Sequence, residues 1–541
     1  MPVRPMTEEL IASYYEVGYW RPEPLHVTID EIASRRPDAA AVADQHERLS
    51  YRELVRRSHA LADHLLSLGL EPGDAVALQT PNRVAIPLAH LACDRADLLF
   101  VPLSDAWRHR EMGHLLKVAK AKVVIVPQAT RECDHVAMIE ELRQDLPDLR
   151  FVGSLDGVAD GADFGFDEVS QRDVAGVHQE RDANAARYVM VTSGTTGLPR
   201  LSLWTDNNLR HFMACFASAV DLTEDDIAVG FCPANTGATG YVFPVLGPIL
   251  VGASSVLLEH WSPVEALRLI EEEKATTATA VPTQVLKMMQ QDDLGQYDFS
   301  SLRIFTNAGA AMPPAAAKEL EEVFGCVGHV CYGSTDGGVP TMTSLRDSVE
   351  QRRTSVGREL PGTDLRLVDA LGRDVAPGAS GEICWRGPTK SFGYLNEPEL
   401  TEATFDDEGF YHSGDLGTCD TDGNLYITGR SKDLIIRAGQ NISPVEIENL
   451  LVEHPAVSEV SVIGLPDPVY GERVCVCLVA RPGRMVTLEE LSDFLLDRGV
   501  AKFKLPERVE VLSELPKSAG GKISKVELRA AMAQGSAAAS G

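Results

Sequence analysis

Residues 188–200 read Tyr-Val-Met-Val-Thr-Ser-Gly-Thr-Thr-Gly-Leu-Pro-Arg, which predicts a buried strand followed by an anion-binding loop. The apolar run Tyr188–Val191 is typical of a strand inside a parallel sheet. In the loop, glycines allow close approach of the backbone to a ligand, hydroxyl groups can donate to phosphate oxygens, and Arg200 adds positive charge. No Gly-Lys-Ser/Thr follows, so the loop is not a Walker loop. On composition alone, a polar turn between a strand and a helix is an equally good interpretation.

Helical and strand patterns alternate on both sides of this loop, which predicts parallel sheets covered by helices. One unit is clear: Ser50 and Glu53 form a capping-box pair, a leucine-rich helical face follows, and a strand begins at Ala75. From about Ser380, short strands between glycines predict a small antiparallel region. We therefore expect an α/β protein with a large N-terminal domain of parallel-rich sheets and flanking helices, plus a small mobile α+β C-terminal domain.

Length and charge exclude several classes of function. The chain has 541 residues, too many for one core, and 50 basic against 79 acidic side chains give a net charge of −29. Such a charge disfavours binding to nucleic acid or to an anionic membrane surface. The ten cysteines are scattered without metal-ligand spacing and are interpreted as reduced core residues. A signal peptide and a long apolar run are both lacking, so we expect a cytoplasmic protein without membrane insertion.

Four further motifs accompany the Ser/Thr/Gly loop: Tyr332-Gly333-Ser334-Thr335-Asp336, Tyr411-His412-Ser413-Gly414-Asp415, Gly429-Arg430-Ser431-Lys432-Asp433 and Pro516-Lys517-Ser518-Ala519-Gly520-Gly521-Lys522-Ile523. With these five motifs in order and at similar spacing, nearly the whole chain resembles the adenylate-forming enzymes. That superfamily comprises acyl- and aryl-CoA synthetases, adenylation domains and luciferases. The chain looks closest to the aryl and acyl acid AMP-ligases and CoA ligases.

The resemblance implies a division of the chain. Residues 1–429 would form the large N-terminal adenylation domain, which binds ATP and the acid. Residues 430–433 would be the hinge, and residues 434–534 the small C-terminal domain that carries the catalytic lysine. Residues 535–541 are small and polar, so we expect them to be disordered.

The resemblance also implies roles for single residues. Lys522 would be catalytic, because an ammonium group stabilises the negative charge that develops as pyrophosphate leaves. Asp415 would accept hydrogen bonds from the ribose hydroxyls and Arg430 would bind ribose or the α-phosphate. The ATP- or AMP-binding residues implied are Thr192, Ser193, Gly194, Thr195, Thr196, Gly197, Arg200, Gly309, Ala310, Tyr332, Gly333, Thr335, Asp415, Ile427 and Arg430. Taken alone, these residues also suit turns, ion pairs and exposed tails.

Further roles concern the acid, the metal and the thiol. The acid pocket implied consists of Asn235, Thr236, Gly237, Asn307 and Gly337. Asp336 would help to hold Mg²⁺, Lys432 would lie at the hinge, and Gly439 would line the entry tunnel of the thiol. Ordinary packing, a solvated lysine and a turn glycine are the simpler interpretations of these last positions.

The chain departs from the common family pattern at several positions. Arg200 and Leu201 replace the usual Lys-Gly, Asp206 replaces a frequent His, and Asp336 replaces Glu. Near Asn235 and Thr236, relatives commonly carry an aromatic residue and His, whereas this chain has small polar side chains. These side chains suit contact with a hydroxyl or amino substituent of an aromatic acid, and they suit a plain Gly-rich loop equally well. The opening segment Tyr14–Trp20 resembles that of aryl-acid-activating members.

We therefore expect an ATP- and Mg²⁺-dependent ligase that converts a carboxylic acid, aromatic or cyclic, to an acyl-adenylate and transfers the acyl group to CoA. Three alternatives stay open: transfer to the thiol of a separate carrier protein, ATP-dependent activation of nitrite for diazotisation of an aryl amine, and a non-catalytic homologue that binds nucleotide. The partners expected are the acid, ATP, and CoA or a carrier protein. A homodimer is also left open.

Overall fold

A computed structural model describes residues 7–130, 133–177, 179–192, 198–235, 237–310, 312–438, 440–517 and 523–538. The helices are α1 Glu8–Glu16, α2 Leu25–Arg35, α3 Tyr51–Ser67, α4 Ala85–Arg95, α5 His109–Ala119, α6 His135–Leu142, α7 Phe166–Ser170, α8 Asp206–Ala219, α9 Gly247–Val251, α10 Pro263–Glu272, α11 Pro282–Met289, α12 Pro314–Phe324, α13 Val349–Thr354, α14 Pro398–Thr404, α15 Pro444–Leu451, α16 Leu488–Asp497 and α17 Lys525–Ala538.

The strands are β1 Ala40–Ala43, β2 Arg48–Ser50, β3 Ala75–Thr80, β4 Leu99–Ser104, β5 Val123–Val126, β6 Ala129–Thr130, β7 Cys133–Asp134, β8 Phe151–Ser154, β9 Phe164–Gly165, β10 Tyr188–Thr192, β11 Arg200–Trp204, β12 Ile227–Gly230, β13 Ser254–Leu257, β14 Thr277–Ala280, β15 Ile304–Ala308, β16 Val327–Ser334, β17 Gly338–Met342, β18 Arg358–Glu359, β19 Asp364–Val368, β20 Gly381–Arg386, β21 Tyr411–Cys419, β22 Leu425–Arg430, β23 Ile435–Arg437, β24 Gln440–Ile442, β25 Val457–Asp467, β26 Gly471–Ala480 and β27 Arg508–Val511.

Two large sheets form the N-terminal part. The order of the nine-stranded sheet is β18-β17-β16-β15-β14-β12-β13-β1-β2, and that of the seven-stranded sheet is β11-β10-β4-β3-β5-β8-β9. Their central strands pair in parallel, whereas β17, β18, β2 and β11 pair antiparallel at the edges. The α/β class with parallel-rich sheets is thereby confirmed.

Alternation along the strands divides the core into layers, because successive side chains point to opposite faces of a sheet. In β3, Val76 and Leu78 face the central core, which also includes α3, α4 and α8. Ala75 and Ala77 face the outer core formed with α5 and α6. The outer face of the nine-stranded sheet is covered by α10, α11 and α12. The two sheets and the helices between and outside them therefore stack as five layers.

Two smaller sheets follow. Strands β19–β22 form an antiparallel sheet, which begins at Asp364, earlier than the change near Ser380 indicated. A short 3₁₀ turn at Ser431–Asp433 comes next, and then the C-terminal sheet in the order β24-β23-β26-β25, with β27 parallel to β26. The turn coincides with the predicted hinge at 430–433, and the assignment of domains at that point stays a prediction.

Local expectations are met in most places. Ser50 and Glu53 form the predicted capping box of α3. All ten cysteines are free, although Cys133, Cys215 and Cys419 are only half-buried rather than core residues. Helix α17 continues to Ala538, and the disorder expected for residues 535–541 stays a prediction. No helix in the described ranges is long and apolar enough to cross a membrane.

Candidate nucleotide and acid site

The site lies where parallel strands of the nine-stranded sheet end, as ligand sites of open α/β sheets do. Ala308, at the end of β15, pairs with Cys331 of β16, so Gly309 and Ala310 emerge beside Tyr332. Gly309 has φ +87°, a conformation that glycine adopts without strain. Gly309, Ala310 and Tyr332, which are predicted to bind ATP or AMP, therefore come together at one end of the parallel strands.

Asp415 is the best-defined carboxylate of the site. Its side chain is buried, and Oδ2 accepts a hydrogen bond from the Tyr332 hydroxyl at 2.8 Å. Nε of Arg430 donates to Oδ1 at 2.6 Å. Burial and the neighbouring Asp415 carboxylate raise the pKa of Tyr332 well above its ordinary value, so the hydroxyl keeps its proton and donates. The structure thus brings together Tyr332, Asp415 and Arg430, which belong to three different motifs, through the Asp415 carboxylate.

A bulge in β21 presents Asp415. Glu382 of β20 pairs with Leu416, but Cys384, two residues later, pairs with His412, so β21 holds two extra residues. Gly414 lies in this bulge with φ +70°, and its N–H donates to Oε1 of Glu382 at 3.0 Å. Bulges re-aim the side chains beside them. Because Asp415 pairs directly with Arg430 in β22, the bulge sets the position of both charges.

The Ser/Thr/Gly loop connects two strands whose ends are described. Thr192 of β10 pairs with Arg200 of β11, while residues 193–197, which include all the remaining hydroxyls and glycines of the prediction, lie outside the described residues. The guanidinium of Arg200 lies 5.9 Å from the ring centre of Tyr394, and the Tyr394 hydroxyl donates to Oδ2 of Asp336 at 2.7 Å. The loop end and the proposed metal-binding carboxylate are therefore connected through Tyr394.

Asp336 suits the Mg²⁺ that the family resemblance implies. Mg²⁺ prefers carboxylate oxygens and keeps several waters, so the half-buried Asp336, in the turn after β16, is a suitable donor. The hydrogen bond from the Tyr394 hydroxyl orients that carboxylate. Burial and the Asp336 charge raise the pKa of Tyr394, which keeps its hydroxyl protonated as the donor.

Hydrogen bonds to its backbone and close packing at its glycines hold the segment around Asp336 in place. The indole N–H of Trp204 donates to the Thr335 carbonyl at 3.3 Å, and that of Trp385 donates to the Gly337 carbonyl at 2.9 Å. A Cβ at Gly337 would lie 2.2 Å from Cδ1 of Tyr411, and one at Gly333 would lie 2.5 Å from the Gly338 carbonyl. Both glycines are thus required by packing. Whether Gly337 also contacts the acid stays a prediction.

The residues predicted for the acid pocket lie in three places: Asn235 and Gly237 in the loop after β12, Asn307 on β15, and Gly337 in the turn after β16. Asn307 of β15 is buried, and neither Oδ1 nor Nδ2 finds a hydrogen-bond partner within the described part of the chain. Asn235 is buried as well. Gly237 has φ +71°, and a Cβ there would lie 3.5 Å from Cγ2 of Thr335. The acid loop therefore approaches the nucleotide motif, and Thr236 lies outside the described residues.

Of the remaining predicted residues, the structure describes Lys432 and Ile427 but not Lys522 or Gly439. Lys522 and Gly439 lie outside the described residues. Lys432 is exposed in the 3₁₀ turn, and its neighbour Asp433 accepts a hydrogen bond from Arg529 at 3.0 Å. Ile427 is half-buried and packs in the same apolar cluster as Tyr332.

The departures and the N-terminal segment have structural roles. Asp206 is buried, accepts from the Leu25 N–H at 2.9 Å and binds Arg181 at 2.7 Å. Tyr14 and Trp20 are buried in the outer core of the seven-stranded sheet.

Tyr394 is the residue that sequence reasoning missed, because its partner Asp336 is 58 residues away and no local pattern connects them.

Residues 29–395 match the family described as AMP-binding enzyme, and residues 446–522 match the AMP-binding enzyme C-terminal domain. The chain belongs to this family of adenylate-forming enzymes. AMP-binding enzymes of this kind use ATP with Mg²⁺, and the chain is an AMP-forming ligase.

Similar proteins cover almost the whole chain. It is 33% identical to the medium-chain fatty-acid–CoA ligase of Escherichia coli (strain K12), over 96% of this chain and 93% of that one. It is also 33% identical to the salicyl-AMP ligase / salicyl-S-ArCP synthetase of Mycobacterium tuberculosis (strain ATCC 25618 / H37Rv), with the same coverage of 96% and 93%. The fold is similar to that of the anthranilate CoA ligase AuaEII in complex with anthranoyl-AMP, with a TM-score of 0.88, 24% identity, and coverage of 95% and 98%.

Proposed function

We propose that this AMP-binding enzyme activates an aromatic carboxylic acid that carries a hydroxyl or amino substituent, and transfers the acyl group to CoA. The observation that carries the proposal is the side-chain amide of Asn307, which is buried without a hydrogen-bond partner in the described part of the chain. Such a group costs about 1–3 kcal/mol unless something pairs with it. A substrate with a polar ring substituent would supply that partner.

The position of Asn307 agrees with this role. It is the residue before Ala308 on β15, so it lies within two residues of Gly309, where the adenine-binding segment begins. The amide presents both a donor and an acceptor, which suits a phenolic hydroxyl or an aryl amine but adds nothing for an alkyl chain. The side chains around Asn235 and Gly237 are small, as a pocket for a flat ring requires.

The proposed reaction has two steps. A carboxylate oxygen of the acid attacks the α-phosphorus of ATP, and the bond from that phosphorus to the pyrophosphate oxygen breaks. Asp415 and Arg430 hold the ribose, Lys522 stabilises the charge on the departing pyrophosphate, and Asp336 would hold Mg²⁺, which neutralises phosphate charge when bound. The CoA sulfur, having lost its proton, then attacks the acyl carbonyl, and AMP leaves with the electron pair of the broken bond.

The choice of CoA as the acceptor depends on the names of similar proteins and on the motif that contains Gly439. The E. coli relative is named as a CoA ligase, whereas the M. tuberculosis relative is named as an AMP ligase and S-ArCP synthetase, and both are equally identical to this chain. Gly439 resembles the glycine of a thiol tunnel, which permits CoA chemistry. A carrier-protein thiol is the alternative acceptor.

The test is release of AMP with ATP and Mg²⁺ over a panel of acids, each with and without CoA. We expect salicylate- or anthranilate-type acids to support CoA-dependent AMP release better than benzoate, cyclohexane carboxylate or octanoate. The Asn307→Ala variant should lose about 10- to 100-fold in kcat/KM for the preferred substituted acid. Benzoate, which has no substituent, is the internal control and should change less.

Other outcomes would contradict the proposal. Preference for octanoate would replace the aromatic acid with a fatty acid. Stoichiometric release of pyrophosphate without a response to CoA would favour a carrier thiol, and AMP release that requires nitrite and an aryl amine would favour diazotisation. An equal loss for benzoate and the substituted acid in Asn307→Ala would show that the amide does not contact the substituent.

A further inference from the structure

Three side chains with different donor atoms meet on the small antiparallel sheet, next to the site but not within it. Glu382 and Cys384 belong to β20, and His412 belongs to β21. One carboxylate oxygen, the thiol sulfur and one ring nitrogen all lie within 4.8 Å of one another. The nucleotide and acid site uses none of the three.

The register of the strands creates this cluster. Cys384 and His412 are direct cross-strand partners, so their side chains leave the same face of the sheet. Glu382 is two residues before Cys384 and therefore shares that face. The bulge at Gly414 follows His412 and interrupts the pairing, which resumes at Glu382 and Leu416, so the cluster lies directly beside the bulge.

The distances match those between ligands of a tetrahedral metal ion. Sγ of Cys384 lies 3.3 Å from Nδ1 of His412, and Oε2 of Glu382 lies 3.5 Å from the same nitrogen. With Zn–S of about 2.3 Å and Zn–N or Zn–O of about 2.0–2.2 Å, tetrahedral angles place ligand atoms about 3.3–3.6 Å apart. The two measured edges therefore require little movement of the side chains.

The remaining atoms of the ligands are already anchored. Oε1 of Glu382 accepts from the Gly414 N–H at 3.0 Å, which turns Oε2 towards the cluster. Nε2 of His412 lies 3.3 Å from Oδ2 of Asp406, the carboxylate–histidine arrangement that orients a metal-binding imidazole through its other nitrogen. Cys384 is buried and about a third of the His412 side chain is exposed, so a small ion can enter from the solvent side.

We propose that Glu382, Cys384 and His412 bind a divalent transition-metal ion of the zinc class through Oε2, Sγ and Nδ1, with the fourth position open to water. A thiolate with an imidazole selects such an ion over Mg²⁺, which prefers oxygen ligands alone. On binding, the Cys384 thiol and Nδ1 of the His412 ring each release a proton to the buffer, and one thiolate and one carboxylate balance the two charges of the ion. This site is distinct from the Mg²⁺ position at Asp336.

The site would affect the nucleotide through the strand that both share. His412 is three residues before Asp415, and Gly414 is already attached to Glu382. An ion that joins β20 to β21 at this point would hold the bulge, and with it the Asp415 carboxylate, in one position. The metal would thus act as a positioning element rather than in the reaction.

The test is a titration of the untagged, chelator-treated full chain with Co²⁺, followed by absorbance. Co²⁺ bound to a thiolate in a tetrahedral site gives a near-ultraviolet charge-transfer band and visible ligand-field bands. We expect both to saturate at one equivalent, to be displaced by Zn²⁺, and to disappear in Cys384→Ser. Cys419→Ser is the matched control, because Cys419 also lies on β21 but outside the cluster, and it should keep both bands.

His412→Asn provides a second variant if Cys384→Ser does not fold, and far-ultraviolet circular dichroism identifies that case. In His412→Asn the visible bands should lose intensity or disappear, and the affinity for Co²⁺ should fall at least 10-fold. The proposal is overturned if wild-type protein gives no charge-transfer band, or if the band persists in both Cys384→Ser and His412→Asn. It is equally overturned if only Cys419→Ser removes the band.

Discussion

The Tyr332 hydroxyl donates to Oδ2 of Asp415 at 2.8 Å, although the two residues are 83 positions apart and belong to different sheets. Tyr332 lies on the nine-stranded sheet, and Asp415 lies on the four-stranded antiparallel sheet. This bond therefore connects the strand end beside Gly309 with the carboxylate proposed to bind ribose. The relative placement of the two sheets consequently determines how the nucleotide would be held.

Removal of this hydroxyl should weaken ATP binding. In Tyr332→Phe, the buried Asp415 carboxylate loses one donor but keeps Arg430, so we expect the KM for ATP to rise about 3- to 10-fold, which corresponds to about 1 kcal/mol for one hydrogen bond. Steady-state kinetics at saturating acid measures it. Tyr426→Phe is the matched control, because Tyr426 donates to the exposed carboxylate of Asp420 at 3.0 Å on the same sheet. An equal effect in both variants would contradict the assignment.

The hydroxyl of Tyr394 should affect the need for Mg²⁺. Tyr394→Phe keeps the ring under Arg200 but removes the donor to Asp336. Because loss of a hydrogen-bond partner behind a metal ligand typically costs 10–100-fold in affinity, we expect about a 10-fold higher Mg²⁺ concentration at half-maximal activity. Asp336→Asn removes the proposed metal-binding carboxylate itself, so we expect it to raise that Mg²⁺ concentration further. An unchanged Mg²⁺ dependence in Tyr394→Phe would show that Tyr394 does not orient the metal-binding carboxylate.

The sequence predicts what depends on neighbouring residues. Capping at Ser50 and Glu53 and the alternation of strands and helices follow from spacing over one or two turns, and the structure has both. The approach of Tyr394 to Asp336 and the bulge before Asp415 depend on pairing between distant strands. No local period records such pairing, so these features appear only in the structure.

The site residues divide in the same way. Motifs identified Tyr332, Asp415 and Arg430, and the structure brings these three together. The same motifs could not indicate that Gly337 is packed against Tyr411. A sequence does not distinguish a glycine that a neighbouring ring requires from a glycine that a ligand requires. Lys522 and Gly439 stay predictions.

Lys522 should be required for formation of the adenylate. If its ammonium stabilises the departing pyrophosphate, Lys522→Ala should reduce acid-dependent exchange between ATP and pyrophosphate about 10²- to 10³-fold, with little change in ATP binding. Lys517→Ala is the matched control, because the Lys517 ammonium binds Oε1 of Glu459 at 3.0 Å, which gives it a structural partner. Full exchange activity in Lys522→Ala would show that another group stabilises the leaving pyrophosphate.

Lys390 should make the stability of the protein depend on pH. Its side chain is almost fully buried, with Nζ 4.1 Å from the ring centre of Phe405, and burial lowers its pKa to about 8, although Asp406 opposes the shift. Below pH 8 both folded and unfolded chains carry the proton, so the folded state bears the whole cost of the buried ammonium, on the order of 3 kcal/mol. Between pH 8 and about 10.4 the unfolded chain binds more protons than the folded one, so stability increases with pH.

Replacement by an apolar side chain of similar length removes that cost. We expect Lys390→Met to raise the thermal unfolding midpoint at pH 7, and we expect the gain to shrink as the pH rises from 8 towards 10, because wild-type protein then folds with a neutral amine. Lys318→Met is the control, since Lys318 is exposed on α12 and should show no such trend. Thermal unfolding curves of both proteins at three pH values measure this gain. A gain that is constant or grows with pH would contradict the prediction. It would mean that contact with Phe405 stabilises the Lys390 ammonium enough to outweigh the cost of burying it.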